Sequence, residues 1–325
     1  VSPAVPVLLL VAALLLPGAA AAGCAPAFAV VSQGAARLTV LGLTVPAPDR
    51  PAPCATIPLA AAPAGVALTA DGGTAYVGHP DLGRISVVDL SAGRVVTEIA
   101  TGGQPFGLAL VPDGRLLVSD WSGDALLLLD VAGDRPPQRI SVGRAPSAVL
   151  VDAARGRAYS IDRDSDAVSV VDLAAPVRIA TIAVGQAPFA AALSADGTRL
   201  FVANIRSGDL SVVDLAAGLE AARIPVGGMP YGVAVVPGTG EVLVTDQERG
   251  RLVRVDGNLG AVVGSVRVGR YPEGVVVQPD GGRAVVANWF SDTVTLVDLR
   301  TEATTELPMA AGPRQIATVP AGMLP

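Results

Sequence analysis

Two markers that keep one beat of about forty residues predict an all-β fold, a seven-bladed β-propeller with four-stranded antiparallel blades. The first is a proline, at Pro63, Pro105, Pro146, Pro188, Pro230, Pro272 and Pro313, spaced 42, 41, 42, 42, 42 and 41 residues apart. The second is an apolar residue followed by Asp, at Val88-Asp89, Leu129-Asp130, Val171-Asp172, Val213-Asp214, Val255-Asp256 and Val297-Asp298. Between the markers run short alternating segments rich in β-branched residues. They lack the apolar spacing of three and four that a helical repeat needs.

Taken in chain order, the first segment is no blade. Residues 7–16 form the one long apolar run, followed by small residues and Cys24. Ten apolar residues fall short of the roughly 20 that a membrane-spanning helix needs, and the small residues suit a signal peptidase. Residues 1–23 therefore read as an export signal, with residues 24–325 as a single propeller domain in the bacterial periplasm. Residues 1–6 depart from that pattern in carrying no Lys or Arg. Cys24 has two readings. Ala21-Ala22-Gly23-Cys24 is similar to a lipobox, which would make Cys24 a lipidated first residue and the protein a membrane-anchored lipoprotein. Alternatively it pairs with Cys54, the only other cysteine, as an oxidising compartment allows.

Three strands follow, over 28–32, 37–43 and 55–59, with no innermost strand before them. Six full units then run from about residue 62 to 308. The unit after Pro188 shows the plan. An inner strand A ends at the turn signal Asp196-Gly197; strand B is Leu200–Asn204; strand C runs over 209–215 and strand D over 222–227. The same turn signal recurs as Asp71-Gly72, Asp113-Gly114 and Asp280-Gly281. The last segment, residues 313–319, is a strand A without a blade. The two remnants complete each other, so the C-terminal strand closes the ring against the N-terminal blade and removes the open edges.

The tetrads Phe201-Val202-Ala203-Asn204 and Val285-Val286-Ala287-Asn288 at the end of strand B resemble the repeat of the YVTN-type β-propellers, which include YncE-like and surface-layer-type proteins. Degenerate copies stand at Leu117–Asp120, Leu243–Asp246 and Tyr76–His79. The resemblance implies the fold. Activity does not follow from it, because the fold hosts enzymes, binders and scaffolds.

In such a blade the D-to-A and B-to-C connections share one face. One ring of variable residues there follows the marker prolines: Ala64, Phe106, Ser147, Phe189, Tyr231, Glu273 and Arg314. A second follows the tetrads: Pro80, Trp121, Arg163, Ile205, Gln247 and Trp289, with Phe290 beside it. The chain has only two Trp, four Tyr and five Phe, yet Trp121, Trp289, Phe290, Phe106, Phe189 and Tyr231 all map to this rim. Arg144, Arg163, Arg206, Arg270 and Arg314 join them. Phe106 and Phe189 read as a plug of the channel mouth, and Trp121 and Trp289, on outer loops, as recognition residues.

A polar ring, Gln33, His79, Asp120, Asp162, Asn204, Asp246 and Asn288, ends strand B and reads as turn structure, as do the marker aspartates. His79 is the only histidine, which excludes multi-imidazole metal or haem sites built by this chain alone. Asp162, Asp164 and Asp166 have the one-three-five spacing of a calcium loop but lack its glycine and distal Glu, so a plain acidic turn is preferred.

The leading functional reading is an exported, non-catalytic binding or scaffold propeller. Its aromatic and arginine face would take a protein, a glycan or another ligand, with no cofactor and as a monomer. The membrane enters only through a lipid anchor. A second reading is a lactonase- or lyase-type enzyme at the channel mouth, with Glu273, Arg314 and His79 as its catalytic candidates. The resemblance further implies single-stranded DNA binding or service to a periplasmic redox enzyme. The net charge of -6 counts against nucleic acid.

Overall fold

Strand B of each blade is buried on both faces, and its alternation shows why. In Leu200–Asn204, Leu200 and Val202 pack with the preceding blade, while Phe201 and Ala203 pack with the following one. One strand thus feeds two cores, and period-two patterning of apolar residues becomes the cement between sheets.

The computed structural model describes residues 25–43, 52–133 and 135–319. They form twenty-eight strands in seven antiparallel sheets of four. Blade 1 is made from both ends of the chain: strand A is Pro313–Thr318, followed by Ala25–Ser32, Arg37–Leu43 and Ala52–Pro58. Blades 2 to 7 are continuous. Their A strands are Val66–Leu68, Pro105–Leu110, Pro146–Asp152, Pro188–Leu193, Pro230–Val235 and Pro272–Val277. The closing strand pairs antiparallel with the first, Ile316 opposite Val30 and Pro313 opposite Ser32. Phe28, Val30, Leu41 and Ile316 complete a cluster with Val285, Val294 and Leu296 of blade 7, so the seam is packed like the other interfaces.

The marker aspartates do the expected turn work. Asp214 accepts the backbone N–H groups of Ala216 and Ala217, at 2.9 Å each, and Asp172, Asp256 and Asp298 repeat the arrangement. At the A–B turn, Gly197 takes a φ of +65°, and Asp196 accepts from Ser194 and Thr198, which holds its carboxyl down at about 2.

The inner strands approach one another closely, and glycine permits it. A Cβ on Gly232 would stand 2.2 Å from the Glu273 carbonyl oxygen, and one on Gly65 would stand 2.1 Å from that of Phe106. These glycines follow the marker proline by two positions. Backbone packs on backbone there, so the intervening residue of each Pro-x-Gly is aimed in a fixed direction at the channel mouth. Thr245 adds a clamp: its hydroxyl accepts from Gly232 N–H at 2.7 Å and donates to the Glu273 carbonyl at 2.8 Å.

Two expectations fall on residues outside the described ones: the export signal at residues 1–23, and Cys24 with its lipobox. Cys54 is disulfide-bonded. No helix among the described residues is long and apolar enough to cross a membrane.

Candidate functional site at the channel mouth

The two variable rings are tied together by backbone. Trp121 N–H donates to Gln104 O at 3.0 Å, Gln247 N–H to Met229 O at 3.0 Å, and Trp289 N–H to Tyr271 O at 3.0 Å. Each B–C turn is thereby anchored to the residue just before a marker proline, on the shared face. Gln33 N–H makes the same bond to Gly312 O at 2.8 Å. This corrects the polar ring by one residue. Ser32, opposite Pro313, is the true blade 1 member, as Asp120 is opposite Pro105. Gln33 belongs to the outer ring with Trp121 and Trp289.

Arg314 is the hub of the mouth. Its Nη2 donates to Tyr231 Oη at 2.9 Å, its Nη1 to Gln33 Oε1 at 3.2 Å, and its Nε lies 3.1 Å from Glu273 Oε2. Its Cζ also sits 5.1 Å from the ring centroids of both Phe106 and Trp289. Planar, delocalised charge suits this mixture of hydrogen bonds and ring faces. Gln247 Nε2 donates to Glu273 Oε1 at 3.1 Å, so both carboxyl oxygens are engaged. The Nε–Oε2 contact is close but not aligned as a hydrogen bond, leaving Oε2 with charge attraction alone.

Glu273 is only 3% exposed. Burial pushes its carboxyl up to about 7, against the opposing pull of Arg314 and the Gln247 hydrogen bond. Burial also raises the Tyr231 phenol. For Arg314, burial acts to lower its value, but Tyr231 and Glu273 outweigh it and hold the guanidinium charged.

Next to this hub lies a continuous run of rings. Phe106 and Trp121 are 5.0 Å apart between centroids, Phe106 and Phe189 5.8 Å, Trp121 and Phe189 6.3 Å, and Phe189 and Tyr231 4.1 Å. Small residues make the run possible. Ala64 and Ser147 occupy the inner ring on either side of Phe106, leaving room for it to reach both Arg314 and Phe189. Arg163 places its Cζ 5.7 Å from the Trp121 ring, and its Nη1 contacts Asp164 at 2.7 Å. Below the rings the channel holds a cavity of about 180 Å³ lined by the A strands.

The structure thus brings Phe106, Trp121, Phe189, Tyr231, Glu273, Arg314, Trp289 and Arg163 together. The two tryptophans are half-buried within this assembly and not purely outer-loop groups. Phe290 lies apart, paired with Tyr271 at 4.7 Å, and Arg206 is exposed. His79 does not join the mouth cluster: it is fully buried, with Nδ1 2.9 Å from Ala61 O and Nε2 2.9 Å from Ser86 Oγ, and burial lowers its basicity. Asp162, Asp164 and Asp166 do not converge. Asp162 accepts from Ser160, Ser169 and Gly143 N–H, Asp166 from Ala187 N–H, and Asp164 faces Arg163. Among the described residues no group of three or more His, Cys, Asp or Glu is placed to hold a metal ion. The sequence pattern puts Gln33 in the polar ring because the blade 1 tetrad is degenerate; aligning Ser32 with Asn204 moves it to the outer ring.

No family model matches this sequence, and no curated protein matches it significantly. Solved structures share the fold. A putative 6-phosphogluconolactonase from Bacteroides fragilis is 14% identical, with a TM-score of 0.77, over 92% of this chain and 99% of that one. A functionally unknown protein from Desulfotomaculum acetoxidans is 12% identical, with a TM-score of 0.76, over 90% and 98%. The dihydro-heme d1 dehydrogenase NirN is 20% identical, with a TM-score of 0.69, over 90% of this chain and 75% of that one. At such identities the likeness is one of fold.

Proposed function

We propose that the chain is an exported, monomeric propeller of the YVTN-repeat kind that binds a ligand at its channel mouth without transforming it. One observation carries this reading: Arg314 and Glu273 spend their polar groups on each other and on Tyr231, Gln33 and Gln247. A catalytic acid must reach its substrate, and Glu273 is enclosed. What the mouth offers to solvent is half-buried ring faces on a braced floor, which suits stacking against a sugar ring or an apolar side chain. The disulfide at Cys54 accords with an oxidising compartment.

Both tryptophans of the chain sit at the mouth, so intrinsic fluorescence reads occupancy directly. Titration with chito-oligosaccharides and with leucine-containing peptides that carry no tryptophan is expected to perturb the emission. Trp121→Ala with Trp289→Ala is expected to abolish binding measured by calorimetry. An unchanged affinity in the double variant removes the site.

The enzymatic reading keeps one supporting feature, a carboxyl poised near neutrality. Lactone hydrolysis that vanishes in Glu273→Gln would establish it in place of simple binding.

A further inference from the structure

Beside the mouth, blades 6 and 7 frame a second cleft, of about 270 Å³, which touches the outer ring at Gln247 and contains none of the inner ring. Its walls are the blade 6 B–C turn with Glu248 and Arg249, the end of strand D with Arg267, and the linker with Arg270 and Tyr271; Phe290 forms the rim.

The charge there is unbalanced. Arg267 makes no ion pair among the described residues. It is the cross-strand partner of Arg251, so two like charges stand opposite each other in one sheet. No other blade does this: the matching pairs are Arg37–Pro58, Arg84–Ala100, Ala125–Ser141, Ala167–Ala183, Asp209–Pro225 and Thr293–Pro308. Arg251 turns to Ser265 at 2.9 Å, Arg270 to the Phe290 carbonyl at 2.6 Å, and Arg249 stays 3.7 Å from Asp246. Four guanidinium groups thus share two nearby carboxylates, Asp246 and Glu248, on a chain that is acidic overall.

The apolar side is equally particular. Tyr271 holds a left-handed φ of +57°, where other blades place Ala62, Ala145, Ala187 or Gly312. A bulky side chain in that region is uncommon, and here it packs at a tilt against Phe290, a residue 56% exposed. A strained tyrosine thus supports an exposed phenylalanine beside an arginine cluster.

We propose that this cleft is a second binding site, for a phosphate or sulfate monoester carried on a planar ring. The ring rests on Phe290, and the ester oxygens are taken by the forks of Arg267, Arg270 and Arg249. It is independent of binding at the mouth.

The test is calorimetry on the full chain with 1-naphthyl phosphate and 1-naphthyl sulfate, against 1-naphthol and inorganic phosphate. The esters should bind at least about tenfold more tightly than either fragment, more weakly as salt rises, and the two esters show which oxyanion is preferred. Arg267→Ala should weaken the esters about tenfold, and Arg267→Lys should restore part of that loss, because it keeps charge without the fork. Phe290→Ala should weaken the esters and leave inorganic phosphate unchanged, while Trp121→Ala should change neither. Arg267 is a strand-end surface residue, and matched melting curves verify that the variants are folded. Equal affinity for naphthol and the esters overturns the proposal. So does ester binding that survives Arg267→Ala or is lost in Trp121→Ala.

Discussion

Arg314 Nε lies 3.1 Å from Glu273 Oε2, joining the last strand of the chain to blade 7 at the mouth of the channel. The contact serves two ends. It holds the closing strand to blade 7, while the Arg314–Gln33 hydrogen bond reaches across the joint to the N-terminal strand, and together they fix the floor on which the aromatic residues stand. Closure of the ring and the shape of its mouth are therefore one structural problem in this protein.

Replacing Arg314 tests that coupling. Arg314→Ala strips partners from Tyr231, Gln33 and Glu273 and removes a cation from two ring faces. Glu273 then has no charge opposing its burial and takes up a proton, so no bare carboxylate remains. The expected loss is still at least about 2 kcal/mol of stability, from unsatisfied polar groups and lost cation–π contact. Denaturant melts monitored by tryptophan emission read both the destabilisation and the altered surroundings of Trp289.

Glu273 predicts a pH dependence of definite sign. Its folded value of about 7 stands above its ordinary 4.5, so between these the folded state holds a proton that the unfolded chain releases. Stability contributed by this group is full below about pH 4.5 and falls as the pH rises toward 7. Glu273→Gln abolishes the titration. The stability of the wild type relative to Glu273→Gln should therefore decline from pH 5 to pH 8; a difference that rises with pH would contradict the burial argument.

Gly232 tests the close approach of the inner strands. A Cβ there meets the Glu273 carbonyl, which is backbone and already bonded to Thr245. Gly232→Ala should cost about 1–3 kcal/mol, as overpacking does, and shift the emission of the mouth tryptophans. Gly218→Ala is the control for the emission: unlike Gly232, Gly218 holds a positive φ, of +68°, but a Cβ there has no neighbour within 4 Å, so the substitution brings only conformational strain and leaves the emission alone.

The repeat was readable because backbone needs wrote it. Prolines start six of the seven A strands, Asp closes the C–D turns, and alternating apolar residues fill two cores from one strand. Much of the mouth was readable for the same reason, since a side chain after a marker proline has one direction to take. The site was less legible where partners come from different blades. That Ala64 and Ser147 make room for Phe106 depends on neighbours across the ring. So does the engagement of Gln33 and Gln247 by Arg314 and Glu273. Gln33 was also displaced by one position, because Ser32 gives no tetrad signal. Arg267 could not be picked out, since its significance lies in facing Arg251 across a sheet.

The last prediction concerns the seam itself. Truncation after Pro308 removes strand Pro313–Thr318 together with Arg314 and Ile316. Residues 28–32 of blade 1 then lose their pairing partner, and Phe28 and Val30 lose part of their cover. An unpaired, apolar strand edge is a template for association. The truncated chain should therefore elute as oligomers or aggregate in size-exclusion chromatography, and lose its cooperative melt. Adding the peptide 309–325 in trans should recover part of the monomer by refilling the edge. A truncated chain that stays monomeric and melts in one sharp transition would show that blade 1 holds without its inner strand, and that the ring does not depend on its C-terminal clasp.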